Sequence, residues 1–320
     1  MIVISAPFQD ANDQVNDDMR TAHSQLPIEK NKATQLALLA LFSGAMGIAF
    51  APIGVRLSEV GPSATAFWRL TLALPALWLW LTLEQRTAHH PQRSLTKSDY
   101  ARLGLAGLLF AGDLAVWHWS IHFTSVANAT LLANFAPLFV VPGGWFLFGQ
   151  RVSRTFLLAM GGALLGTILV VGTSFSISLQ HLWGDTLGLI TAMFYASYLL
   201  TVKRLRDEFS VATVMTWSGV ACSAALLPIA FLSGEKILPV SVSGWVPLLS
   251  LALISQVSGQ SLIAYALAHL PVAFSSVGLL LQPVMATGLA WLIFGETLRF
   301  WQAIGGMLVL VGIVGARERP

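Results

Sequence analysis

The amino-acid sequence predicts an all-α integral membrane protein of ten transmembrane helices arranged as two inverted five-helix repeats. Three observations carry this expectation. The 320-residue chain is 55% hydrophobic and only 10% charged, with a mean hydropathy of +0.71, which is more apolar surface than one soluble core can hide. The stretch GDLAVWHWSIHFTSVANATLLANFAPLFVVPGGWFLFGQ, Gly112 to Gln150, aligns without a gap on SGQSLIAYALAHLPVAFSSVGLLLQPVMATGLAWLIFGE, Ser258 to Glu296. Val126 thereby meets Val272, Pro137 meets Pro283, Trp145 meets Trp291, and Phe148-Gly149 meets Phe294-Gly295, a constant offset of 146 residues. Finally, Lys and Arg cluster in alternate connections between apolar runs.

Residues 1–33 are polar and carry Asp10, Asp13, Asp17 and Asp18 ahead of any basic residue, the reverse of a secretory signal. They are expected to be a disordered cytoplasmic tail. Spans then follow over residues 34–55, 63–83, 101–121, 126–148 and 155–172, which make a first repeat of 34–172. The second repeat, 184–316, holds 184–202, 211–232, 245–268, 272–294 and 300–316. Each reaches across a hydrocarbon core of about 30 Å at about 1.5 Å rise per residue. Gly and Pro interrupt nearly all of them, which a bilayer tolerates when neighbouring helices satisfy the freed carbonyls.

Orientation follows from the cations. With both termini cytoplasmic, the inside segments hold Arg20, Lys30, Lys32, Arg86, Arg93, Lys97, Arg102, Arg151, Arg154, Lys203, Arg204, Arg206, Arg317 and Arg319. Only Arg56, Lys236 and Arg299 fall outside, and Arg69 lies within a span. Fourteen against three decides the topology in an inner (plasma) membrane. Five spans per repeat is an odd number, so the repeats insert upside down relative to one another, the plan on which alternating-access carriers are built.

The repeated frame Pro-x7-Trp-x2-Phe-Gly-[Gln/Glu], followed by GGALLGTILVVG or GGMLVLVGIVGA, resembles the paired EamA domains of the drug/metabolite transporter superfamily. The second span, GPSATAFWRLTLALPAL, is similar to that family's Arg-containing second helix, with Arg69 at the matching place. The resemblance covers about residues 34–316. It implies the EamA-like fold and a secondary transporter with a central cavity, most often an exporter of small metabolites or amphipathic solutes. One departure is that the first repeat ends its fourth helix on Gly149-Gln150, where the second keeps Gly295-Glu296.

Ionisable and amide groups inside spans are costly and so usually have a task. Asp113 is the only carboxylate well inside a span, a candidate for proton coupling or for receiving a substrate ammonium, with pairing to Arg69 as the structural alternative. Trp117 at i+4 shares its face, and His118 lies one residue round. His118 and His122 have metal-ligand spacing without a third partner, so no metal or other cofactor is expected. Gln256 and Gln260 on the eighth span, Asn134 and Gln282 beside Pro137 and Pro283 on the fourth and ninth, Tyr195 and Tyr198 on the sixth, and Ser43 on the first complete the candidate substrate site. The two prolines, which cannot donate a backbone bond, are candidate hinges. Glycines 161, 162, 166, 172, 305, 306, 312 and 315 give the fifth and tenth spans small-residue faces for packing or a homodimer. Trp78, Trp80, Trp183, Trp245 and Trp301 lie near span ends, as interfacial belts do.

The expected partners are the lipid bilayer, a small-molecule substrate and protons. The basic clusters are short and lie between apolar runs, which points away from nucleic acid. Cys222 is the one cysteine and sits in an apolar run, so no intramolecular disulfide exists. A second intramembrane Asp or a Ser/His pair is missing, so catalysis is not expected. The cavity residues contain no cluster of Lys or Arg, which favours a neutral, zwitterionic or cationic amphipathic solute over a phosphorylated one. A passive channel or facilitative uniporter is the other reading.

Overall fold

The computed structural model describes residues 32–87, 94–171 and 181–317, and every described secondary-structure element is helical. The first repeat comprises α1 (Lys32–Leu57), α2 (Pro62–Thr87), α3 (Lys97–Phe123), α4 in two halves (Val126–Ala133 and Pro137–Phe148) and α5 (Arg154–Val171). The second comprises α6 (Leu182–Arg206), α7 (Val211–Leu232), α8 (Trp245–His269), α9 in two halves (Val272–Gly278 and Leu281–Phe294) and α10 (Phe300–Ala316). Among the described residues α1 to α9 are long and apolar enough to cross a membrane, and α10 is an apolar helix of 17 residues. Residues 1–31 of the expected tail lie outside the described residues, and Lys32 already belongs to α1.

Local chemistry sets the ends. Thr96 and Asp99 form a reciprocal cap at the start of α3, the Asp99 amide donating to Thr96 Oγ1 at 3.3 Å and the Thr96 amide to Asp99 Oδ2 at 2.9 Å. Ser125 and Ser210 accept from the third helical amides of α4 and α7. The matched Gly149 and Gly295 stop α4 and α9 at φ values of 66° and 67°, a left-handed conformation that explains why glycine recurs at the end of the frame.

The packing register shows that the repeats are inverted. Gly166 of α5 lies against Gly305 and Val309 of α10, while Gly312 of α10 lies against Ala159 and Ala163 of α5. Later residues of one helix meet earlier residues of the other, so the pair is antiparallel, and the offset of 146 turns the Gly166–Gly305 contact into the Gly312–Ala159 contact. In α2 and α7 the Thr71 and Ser223 hydroxyls bond at 2.7 Å and Thr216 Oγ1 donates to Leu77 O at 3.2 Å, again antiparallel. Helices equivalent in sequence that run in opposite directions require upside-down halves. The small-residue faces of α5 and α10 thus pack against one another within the chain, whereas Gly161 and Gly162 have nothing near them, and Gly172 lies outside the described residues.

Loop contacts separate into two faces. On the face that carries Lys32 and Arg317, Arg102 Nη1 donates to Glu208 Oε1 at 2.7 Å and Ser210 Oγ to Glu84 Oε2 at 2.6 Å. On the opposite face, the Ser63 amide donates to Glu235 Oε2 at 2.9 Å, the Val240 amide to Glu59 Oε2 at 2.9 Å, and Arg56 pairs with Glu296. Trp68 also donates to Ile237 O there, at 2.7 Å, and packs edge-on to Trp245.

Candidate functional site

The first, second, third, fourth, sixth, eighth and ninth helices line the site, and α4, α8 and α9 depart locally from the regular helix beside it. In α4 the helix breaks between Ala133 and Pro137, and Asn134 Nδ2 donates to Thr130 O at 2.8 Å at the end of the first half. The ninth helix breaks at the equivalent place, between Gly278 and Leu281, with Pro283 in the first turn of its second half where a missing N–H leaves no bond unmade. In α8, residues Leu251–Gln260 form a π-helix, the wider i→i+5 coil that recurs at functional sites. It is pressed against α1, where Ser255 Oγ donates to Gly47 O at 2.8 Å and Gly259 lies beside Gly44 and Gly47.

These elements enclose a cavity of about 210 Å³. Its polar lining comprises Thr65 and Arg69 from α2, Asp113 and His118 from α3, Thr130 and Asn134 from α4, Thr191 and Tyr195 from α6, Gln260 from α8 and Gln282 from α9. Phe110, Leu114 and Trp117 supply apolar and aromatic wall, and Pro283 lines it at the break in α9. The cavity lies toward the face opposite Lys32 and Arg317: Val55 and Thr65, close to the α1–α2 connection, line it. Toward the other face the first half of α9, Val272–Gly278, is entirely buried, although the repeat-equivalent region of α4 contributes Thr130, Ala133 and Asn134 to the cavity wall.

Two opposite charges face this one space. No described residue hydrogen-bonds or ion-pairs with the Asp113 carboxyl. Arg69 is 7% exposed; its Nε donates to Gln256 Oε1 at 3.2 Å and its guanidinium sits 5.8 Å from the Phe110 ring centroid. The two groups attract one another but do not form an ion pair. Tyr195 and Gln282 face one another across the lining, and Gln260 Oε1 is buried without a protein partner. Such groups are paid for in folding only if something else bonds to them, water or ligand.

The structure brings together Asp113, Trp117, His118, Asn134, Tyr195, Gln260, Gln282 and Pro283. It places the other expected residues elsewhere. Gln256 lies behind the wall and holds Arg69. Tyr198 is stacked between Phe110, at 4.7 Å, and Tyr195, at 6.2 Å, as a floor beneath the lining. Pro137 is buried off the cavity and Ser43 is exposed on α1. The side chain of His122 lies outside the described residues, among which no group of three metal-ligating side chains converges. Arg69 is the cavity residue the polar inventory left out of the site. The rule that an ionisable residue within a span marks a site would have included it.

The model of the EamA-like transporter family matches residues 31–172 and again 182–317. An uncharacterized transporter of Archaeoglobus fulgidus is 29% identical over 69% of this chain and 78% of its own length. The pseudopaline exporter CntI of Pseudomonas aeruginosa is 23% identical over 69% of the chain and 76% of the relative. A probable amino-acid metabolite efflux pump of Salmonella typhimurium is 24% identical over 87% and 92%. A crystal structure with 18% sequence identity shares the fold at a TM-score of 0.73, covering 90% of this chain and 98% of that one.

Proposed function

The chain belongs to the EamA-like transporter family, and on that premise we propose that it is a secondary active exporter of a small amphipathic metabolite. The solute is neutral, zwitterionic or cationic, such as an amino acid or a cationic drug, and its movement is coupled to protons at Asp113. The observation that carries this reading is the Asp113 carboxyl, facing the cavity without a hydrogen bond or ion pair from the described residues. A carboxyl so placed can take either a proton or a substrate cation, and exclusive occupancy by one or the other couples their movements. The names of two relatives, an exporter and an efflux pump, support the direction.

The two repeats, 34–172 and 184–316, are the halves that exchange conformation, with Pro137 and Pro283 at the breaks as hinges. In the conformation described, the cavity lies toward the face away from Lys32 and Arg317 and the first half of α9 is packed. Exchange of the two conformations carries the cavity to the other face. The cation bias puts the chain's ends in the cytoplasm and the protein in the inner membrane.

Reconstitution into proteoliposomes tests the reading. Labelled amino acids and cationic amphiphiles should show saturable flux that trans substrate accelerates and that an imposed pH gradient drives uphill. Non-saturating flux without exchange would make the protein a channel. Saturable exchange indifferent to the gradient would make it a facilitative uniporter.

A further inference from the structure

We infer that Arg69 selects substrates for a carboxylate and that Gln256, from the π-helical stretch of α8, is the residue that positions it. This rests on the transporter reading above and assigns the charge preference of the same cavity.

The argument begins with where Arg69 stands. Seven residues into α2, it sits about 10 Å along the helix from its start at Pro62, far enough that a long side chain would ordinarily reach for the headgroups. Its guanidinium instead turns into the bundle, against the Phe110 ring and onto Gln256. An uncompensated cation in that setting is costly, and the carboxylate that shares the cavity, Asp113, does not ion-pair with it. Only Nε is occupied by protein: no described residue accepts from the Nη groups. The end of a guanidinium with both Nη groups unoccupied is the planar fork that matches a carboxylate with two parallel hydrogen bonds.

Gln256 decides which edge of the fork is left. Its side chain is buried behind the lining, and its Oε1 accepts from Nε, which rules out side-on capture through that edge and presents the Nη end. The Phe110 face restricts the guanidinium plane from the other side, and Tyr198 stacks on that same ring. Asp113, across the same space, can receive an ammonium. A solute with both groups would satisfy both charges at once and leave the cavity electrically neutral. A carboxylate alone would leave Asp113 uncompensated, and an amine alone would leave Arg69 so.

The test compares one solute in three forms. The twenty amino acids are screened for trans-accelerated flux in proteoliposomes, and the best is then measured beside its carboxamide and its des-amino acid. The native protein should favour the amino acid over the carboxamide by about tenfold or more, the range expected of a charge-assisted bidentate pair. Arg69→Gln should bring that ratio to about one while still moving the carboxamide, which shows that the variant is folded. Arg69→Lys, which keeps the charge and loses the fork, should fall between. Gln256→Leu should lower the ratio without abolishing carboxamide transport, a change in selectivity that a purely structural role would not produce. An Arg69→Gln variant with the native ratio, or a native protein that moves amines and their carboxamides but no amino acid, overturns the inference and leaves the exporter reading standing. Vesicles that move none of the amino acids, amines or cationic amphiphiles overturn both.

Discussion

Gly166 of α5 and Gly305 of α10 meet backbone to backbone: a methyl group at Gly166 would lie 2.6 Å from the Gly305 carbonyl oxygen. The repeat-related contact is equally tight, since a methyl at Gly312 would lie 2.6 Å from Ala159 O. Neither neighbour is a flexible side chain that can move aside. Gly166→Ala and Gly312→Ala should therefore each cost about 1–3 kcal/mol, as overpacking does. Gly161→Ala, with open space around it, should be neutral. Thermal unfolding of the detergent-purified variants separates the three.

The antiparallel register also fixes where two loops must lie. Ser153 follows the first Phe-Gly stop and Arg299 follows the second, yet inversion sends them to opposite faces. Single cysteines at these positions, in a Cys222→Ser background, should react with an impermeant maleimide from opposite sides of the membrane. Labelling from one side would contradict the inverted arrangement.

Glu59, in the connection between α1 and α2, accepts from the Ser241 hydroxyl and from the Ser241 and Val240 amides, at 3.0 and 2.9 Å for the latter two. These donors, the hydroxyl first, hold its carboxyl below the ordinary carboxylate range. A depressed folded value means that the contribution is complete above the ordinary range and fades as pH falls through the lowered one. Hydrogen exchange at the Val240 and Ser241 amides, taken relative to the intrinsic rate of an unstructured amide at the same pH, should be strongly protected at pH 7 and lose that protection in strong acid. In Glu59→Gln the amides should exchange faster at pH 7 and lose most of that acid dependence.

Asp113→Asn should keep the shape of the cavity and remove its titratable group. Exchange of labelled substrate between equal pools should persist, while uphill accumulation driven by a pH gradient should vanish. Gradient-driven accumulation that survives in the variant between pH 5 and 8 would place the coupling elsewhere.

Trp117 and Gln260 test the wall itself. Trp117 contributes ring surface, and Gln260 Oε1 is buried with no protein donor. Trp117→Ala and Gln260→Ala should each weaken binding of a transported solute by about 1–3 kcal/mol, through a lost ring contact or a lost hydrogen bond. Isothermal titration in detergent measures both. Ser43→Ala, far from the lining, should change nothing.

Sequence alone determined the number of spans, the duplication and the odd count that inverts the repeats. It also isolated Asp113 and marked the paired breaks near Pro137 and Pro283. These are local or repeated properties: the length of an apolar run, a residue that cannot donate, a glycine that can turn left-handed, a lone carboxylate well inside a span. The tertiary structure alone decided which residues face one another. It turned Arg69 into the cavity, set Gln256 behind the wall to hold it, laid Tyr198 beneath the lining and left Ser43 outside. In a soluble protein a polar face would have shown which side of each helix looks inward. Here lipid and bundle interior are both apolar, so the helices carry little contrast between their faces. Residues as distant in the chain as Arg69 and Gln256 are paired only by the way α2 and the π-helical turn of α8 pack.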